Sequence, residues 1–173
     1  MKSLVVYYSH YGNTAYVADK FSDALRKYGE TRVLELEYSG GKKNLATRLL
    51  YRLIPSLVKI SPIASDLKDY DVLCLGIPVV AGYPPAAVAK YINTCKNLDN
   101  KEIICCYVYG IEASAKSCSK FVERVLQRRG SPAIISMGVP WSSVHDEQFL
   151  NKAINEAIEK ITPNPSQPKS NLS

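Results

Sequence analysis

Ser3-Leu4-Val5-Val6-Tyr7-Tyr8, running into Ser9-His10-Tyr11-Gly12-Asn13-Thr14, is the stretch that decides the fold. The first part is a continuous apolar run, not an alternating one, and this predicts a strand buried on both faces. From Ala15 to about Tyr28 the apolar period changes. Ala15, Val17, Ala18, Phe21, Ala24 and Leu25 fall on one side of a helix, and Gly29 is a natural stop. Residues 9–14 are therefore a strand-to-helix turn, rich in hydroxyl groups, with a glycine in its middle. Such a turn aims free backbone N–H groups and a helix N-terminus at one spot, which favours an anion and above all a phosphate.

Outward from this turn the same unit repeats. Strands are expected at 31–37, 71–76, 102–108 and 132–139, with the alternation at 31–37 marking a sheet edge. Pro84-Pro85 opens a helix packed through Ala86, Val88, Ala89 and Ile92. A further helix covers about 115–129 and stops at Gly130, and a last one spans about 146–161. Strict β-α alternation with buried strands implies an α/β three-layer sandwich, a parallel sheet with helices on both faces. The stretch 39–65 is less regular. After Gly40-Gly41, the residues Leu45, Leu49, Leu50, Leu53, Ile54, Leu57 and Val58 share one helical face, with Arg48, Arg52 and Lys59 opposite and Pro55 as a kink. The basic amphipathic stretch 42–60 reads as a crossover helix, as an element that docks a partner or covers a cofactor, or as a membrane-surface helix. Residues 1–161 form one domain without repeats, and 162–173, with Pro163, Pro165 and Pro168, are expected to be a disordered tail.

Composition narrows the classes. A chain of 173 residues with 46% hydrophobic content suits one domain with a substantial core. The sequence holds no run of about 18 apolar residues and no signal-peptide pattern at its start, so a cytoplasmic protein without a membrane span is expected. Five cysteines, an odd number without C-x-x-C spacing, read as buried free thiols. Two histidines far apart give no metal-ligand spacing. The net charge of +6 attracts negative partners, but no zinc-finger spacing or basic-aromatic interleaving supports nucleic acid.

In a doubly wound sheet of strand order 2-1-3-4-5, strands 1 and 3 send the chain to opposite faces and open a crevice at their C-terminal ends. The loops there are 9–14, 77–83 and 109–114. No Walker-type G-x-x-x-x-G-K-[ST] and no G-x-G-x-x-G follows a strand. A phosphoacceptor receiver would need an aspartate after strand 3, where Gly76-Ile77-Pro78 stands instead.

The turn Val5–Thr14 resembles the phosphate loop of flavodoxins, roughly [ST]-x-[TY]-G-x-[TI]. Gly76-Ile77-Pro78-Val79-Val80-Ala81-Gly82-Tyr83-Pro84-Pro85 resembles the second flavin loop of flavodoxin-like proteins. The likeness runs over about residues 2–160 in element order. It implies a flavodoxin-like fold with five parallel strands ordered 2-1-3-4-5, and FMN as cofactor. It implies that Ser9, His10, Tyr11, Gly12, Asn13 and Thr14 surround the phosphate through side chains and backbone N–H groups. It implies that the isoalloxazine ring lies between Pro78, Val79, Val80, Ala81, Gly82 and Tyr83 on one side and Tyr109 and Gly110 on the other, with Tyr83 and Tyr109 as flanking rings. By the same analogy, a glycine near Val80–Gly82 would allow a peptide flip that follows the redox state. Many electron-transfer flavodoxins carry threonine where Tyr11 stands, and flavodoxin-like quinone reductases can carry tyrosine there. Trp141 is expected to cap the core, His145 to sit on the surface, and the His10 side chain to point outward.

What the resemblance implies about function is a flavoprotein of electron transport that carries electrons between protein partners. Its basic character points to an acidic redox protein such as a ferredoxin, and to a potential less negative than that of an acidic flavodoxin. The alternative is an oxidoreductase that uses NAD(P)H and a quinone or FMN, a reading that goes with a homodimer, since its second pocket is often built between subunits. A third class is a flavin-free interaction protein on the same fold.

Overall fold

A computed structural model describes residues 1–38, 58–60, 65–99, 101–131 and 133–161. Most of the amphipathic stretch 42–60 and the whole tail 162–173 lie outside them. The elements follow one another as β1 (Lys2–Tyr7), α1 (Asn13–Arg26), β2 (Glu30–Glu35), β3 (Val72–Pro78), α2 (Ala86–Thr94), β4 (Glu102–Tyr109), α3 (Glu112–Arg128), β5 (Ala133–Pro140) and α4 (Glu147–Glu159). A single 3₁₀ turn, Trp141–Ser143, separates β5 from α4.

The five strands form one sheet in the order β2-β1-β3-β4-β5, and every neighbouring pair is parallel. The inner strands are apolar throughout because both of their faces are covered. On β3 and β4, Leu73, Leu75, Ile77, Ile103, Cys105 and Tyr107 pack into the layer of α2 and α3. Their alternate neighbours Val72, Cys74, Ile104, Cys106 and Val108 pack into the layer of α1 and α4. Two cores on opposite sides of a sheet require both side-chain phases to be apolar, and this erases the alternation. On the edge strand β2 the core side chains thin out, and its pattern is mixed.

The topology places the crevice. After β1 the chain turns to the α1 layer, and after β3 it turns to the α2 layer, so the connections diverge at the C-terminal ends of two adjacent strands. The loops leaving the strands are zipped to their neighbours: the Tyr8 N–H donates to the Gly76 carbonyl at 3.3 Å and the Val79 N–H to the Val108 carbonyl at 2.9 Å. On the α2 side, the Tyr38 ring meets Tyr8 edge to face at 5.6 Å, and Val58 is buried in the same cluster.

All five cysteines are free and buried. Burial pushes the thiols of Cys105 and Cys118 up to about 12 and that of Cys95 up to about 11, the last despite the opposing charge of Arg129. Only a thiolate attacks disulfide reagents, so a mild thiol reagent near pH 8 should modify none of them rapidly in the native protein and all of them after denaturation. The same burial sets a pH dependence. In the unfolded chain the thiols return to the ordinary value of 9.0, so above about pH 9 the unfolded state sheds protons that the folded state keeps. Stability is therefore at its full value below pH 9 and declines as pH rises towards 11–12, a trend that urea melts across the alkaline range would read.

Candidate functional site

At the C-terminal end of the sheet lies a crevice of about 200 Å³, bordered by Tyr8, Ser9, His10, Tyr11, Asn13, Thr14, Pro78, Val79, Val80, Val108 and Trp141. Its floor is the turn from β1 into α1. Gly12 is the residue before the helix and takes φ +91°, a left-handed conformation in which a side chain would be strained. The Ser9 hydroxyl oxygen accepts a hydrogen bond from the Gly12 N–H at 3.1 Å, which closes the turn and leaves the Ser9 O–H proton to donate elsewhere. The first intrahelical bond runs from the Tyr16 N–H to the Gly12 carbonyl at 2.9 Å, and no side chain caps α1. The N–H groups of Asn13, Thr14 and Ala15 therefore have no acceptor within the helix. By contrast α4 closes its own start: the Asp146 carboxylate accepts from the Phe149 N–H at 3.0 Å.

Two glycines bring this site together. Gly76 on β3 faces Tyr7 and Thr14, and a Cβ there would stand 2.7 Å from the Tyr7 Cβ and 3.1 Å from the Thr14 Cγ2. Its missing side chain lets the first turn of α1 lie directly on the sheet, with Thr14 buried against it. Gly110, just past β4, carries the ring of Trp141: a Cβ there would be 2.9 Å from the indole Cε3 and Cζ3. Trp141 is thus stacked on backbone and remains 54% exposed, lining the crevice instead of capping the core. Opposite features are Tyr11, 83% exposed with its ring edge-on to His10 at 4.4 Å, and the half-exposed Val80.

The turn 80–83 is a two-residue hairpin. The Val80 N–H donates to the Tyr83 carbonyl at 3.0 Å and the Tyr83 N–H donates to the Val80 carbonyl at 3.1 Å. Ala81 at φ +47° and Gly82 at φ +81° give it the signature of a type I′ turn. This turn type bears on the expected peptide flip. Reversing the central peptide makes a type II′ turn, which needs glycine at the first central position, and here that position is Ala81. Gly82, in the second position, does not ease that change, but it admits a type II turn with Ala81 at negative φ.

No protein-family model matches the sequence, and no curated protein matches it closely enough to count as a relative. Solved structures do match. A protein from Bacteroides uniformis assigned as a flavoprotein superposes with a TM-score of 0.66 at 16% identity, over 87% of this chain and 97% of that one. Oxidised flavodoxin 1 of Bacillus cereus gives 0.62 at 17% identity, over 93% and 97%. An azoreductase of Bacillus anthracis gives 0.53 at 10% identity, over 92% and 96%. The chain has the flavodoxin fold.

Within this flavodoxin fold the expected site residues divide. Ser9, His10, Tyr11, Asn13, Thr14, Pro78, Val79 and Val80 line one crevice. Gly12, Ala81, Gly82, Tyr83, Tyr109 and Gly110 do not border it directly. Gly12 and Gly110 act behind it, as turn and as platform. The Tyr83 ring packs against Phe121 of α3 with centroids 5.8 Å apart, and the Tyr109 ring lies over Gly138 of β5. Tyr8, Val108 and Trp141 were not among the expected lining. For Trp141 a signal existed, since it follows β5 at the same sheet end as the other loops. His145 is exposed as expected, and its ring meets Tyr16 edge-on at 4.7 Å. Beside it, Glu147 accepts from the Tyr16 hydroxyl at 2.6 Å and pairs with Lys20 at 2.7 Å, which holds α1 to the start of α4.

Both glycine contacts are testable without any ligand. Gly76→Ala should lift the first turn of α1 from the sheet and cost about 1–3 kcal/mol in urea denaturation. Gly110→Ala should displace the indole. Because Trp141 is the sole tryptophan, its emission should move to longer wavelength and its quenching by iodide should increase, with little change in global stability.

Proposed function

We propose that the protein binds FMN in this crevice and serves as a carrier of electrons between protein partners. The observation that carries the reading is the uncapped start of α1, held on the sheet by Gly76 and opening into a crevice walled by exposed aromatic rings. The donor set suits a phosphate dianion: three helix N–H groups, the Ser9 and Thr14 hydroxyls, the Asn13 amide and the helix dipole, with no lysine required. Bound FMN would supply the redox chemistry, and the chain would supply its position and its electrostatic surroundings. Trp141 and Tyr11 offer flat faces for the flavin ring. In this reading they replace Tyr83 and Tyr109, whose rings are engaged with Phe121 and Gly138. The resemblance to flavodoxins in the two loops and the structural match to a flavodoxin support the same cofactor.

A second reading is an NAD(P)H-dependent quinone or FMN oxidoreductase. It is supported by the structural match to an azoreductase and by Tyr11 in the phosphate turn. Adding NADPH under anaerobic conditions separates the two. The electron carrier should keep the oxidised flavin spectrum, whereas rapid bleaching would favour the reductase.

The phosphate assignment has its own test. FMN should quench Trp141 fluorescence and bind more tightly than riboflavin, which lacks the phosphate. Ser9→Ala should remove one charge-assisted hydrogen bond, weaken FMN about 10- to 100-fold and leave riboflavin nearly unchanged. Equal binding of FMN and riboflavin by the native protein would overturn the assignment.

A further inference from the structure

The helices on the two faces of the sheet differ in charge. In the α2–α3 layer, Lys90, Lys116, Lys120, Arg124 and Arg128 stand against Glu112 and Glu123, five cations to two anions. In the α1–α4 layer, Lys20, Arg26 and Lys152 stand against Asp19, Asp23, Glu147, Glu156 and Glu159, three cations to five anions. Among the described helices the charge is therefore polarised across the sheet, and the positive side is concentrated on α3.

On α3 the cations are not scattered. Lys116, Lys120, Arg124 and Arg128 follow one another at intervals of four and form a single ridge of exposed side chains. Lys116 is partly neutralised by Glu112 at 2.8 Å. Among the described residues, Lys120, Arg124 and Arg128 form no salt bridge. Like charges at this spacing repel and weaken a helix, and only Lys116, paired with Glu112, and Arg128, at the helix's negative end, gain something for folding. The ridge begins at the same end of the sheet as the crevice, since α3 starts just after β4. Ile111, the residue before α3, is 67% exposed at the end of β4, and the half-exposed Tyr83 packs on Phe121 of the same helix. Apolar contact groups thus sit at the end of the cationic ridge that shares the crevice's side of the sheet.

We propose that the outer face of α3, together with Ile111 and Tyr83, docks a protein with an acidic surface and holds it over the crevice. Charge complementarity selects this occupant. A membrane surface fits less well, because the outward positions Ser117, Lys120, Arg124, Gln127 and Arg128 form no apolar stripe along the ridge, and Ile111 and Tyr83 stand only at its end. A nucleic acid fits poorly, because no exposed aromatic side chain stands among the cations of the ridge to stack on bases. That the partner exchanges electrons rests on the electron-carrier reading above; the docking itself does not.

The probe is an acidic plant-type [2Fe–2S] ferredoxin, titrated against the full chain before and after FMN is added. Binding should weaken steeply as salt rises. The triple variant Lys120→Glu, Arg124→Glu, Arg128→Glu should weaken it by at least about tenfold, mainly through slower association. The milder Lys120→Gln, Arg124→Gln pair should fall between, while Lys152→Glu on the opposite layer should change nothing. Circular dichroism and FMN affinity of each variant check that fold and crevice are intact. The proposal is overturned by absence of salt-sensitive ferredoxin binding, or by binding that survives the charge reversal. It is equally overturned if the reversal abolishes binding only to phosphatidylserine vesicles or to duplex DNA. Ferredoxin docking by a chain that never takes up FMN would remove the cofactor reading and leave the docking face standing.

Discussion

The close approach of α1 to β3 at Gly76 is the contact on which the site depends. A helix normally rides about 10 Å above a sheet, on a layer of side chains. At Gly76 that layer is missing, and the Thr14 methyl group drops onto the strand. The first turn of α1 is thereby pinned at the sheet's C-terminal edge, with its unpaired N–H groups beside the crevice. Gly12 adds the left-handed step that lets the chain leave β1 and enter the helix within a short turn, and Ser9 closes that turn through its oxygen. None of these residues carries a formal charge. Whatever affinity for an anion the site has comes from oriented backbone N–H groups and from uncharged hydroxyl and amide donors, brought together where a side chain is absent at Gly76.

The second glycine contact works by the same physics at the other wall. Gly110 lets an indole lie flat on the backbone past β4, so Trp141 presents its other side to the crevice. A stacked ring of this kind has one face desolvated by protein and one free, which suits a planar ligand. The floor thus offers backbone N–H groups suited to a charge, and the wall offers a ring suited to a flat group. An anion joined to a planar heterocycle satisfies both.

Much of this was legible in the chain before any geometry. β1, β3 and β4 were readable because a strand buried on both faces must be apolar in both phases, and no helix of that length fits between such turns. The strand order then places the crevice without further information. The turn 9–14 was readable because hydroxyls and a glycine at a strand-to-helix junction are local facts. The ring walls were not, because they depend on which way a turn faces. Tyr83 looks available in sequence, but the I′ turn that carries it packs its ring against Phe121. Ala81 in a left-handed conformation contradicts the local preference of alanine, and only the hydrogen bonds between Val80 and Tyr83 explain it. Tertiary structure overrides propensity at these points, and they are the points nearest the ligand.

Ala81 also bears on what the crevice does. A glycine in that position would let the central peptide present either its N–H or its carbonyl to a ligand, following the ligand's protonation. With alanine, one orientation lies in a region open almost only to glycine, at a cost of order 1–3 kcal/mol. Exposed at the crevice are the rings of Tyr11 and Trp141, and the positive ridge of α3 starts at the same end of the sheet. On the proposed function, the exposed rings and the charged helix would thus meet a partner at the rim, while the glycine-built turn holds the cofactor.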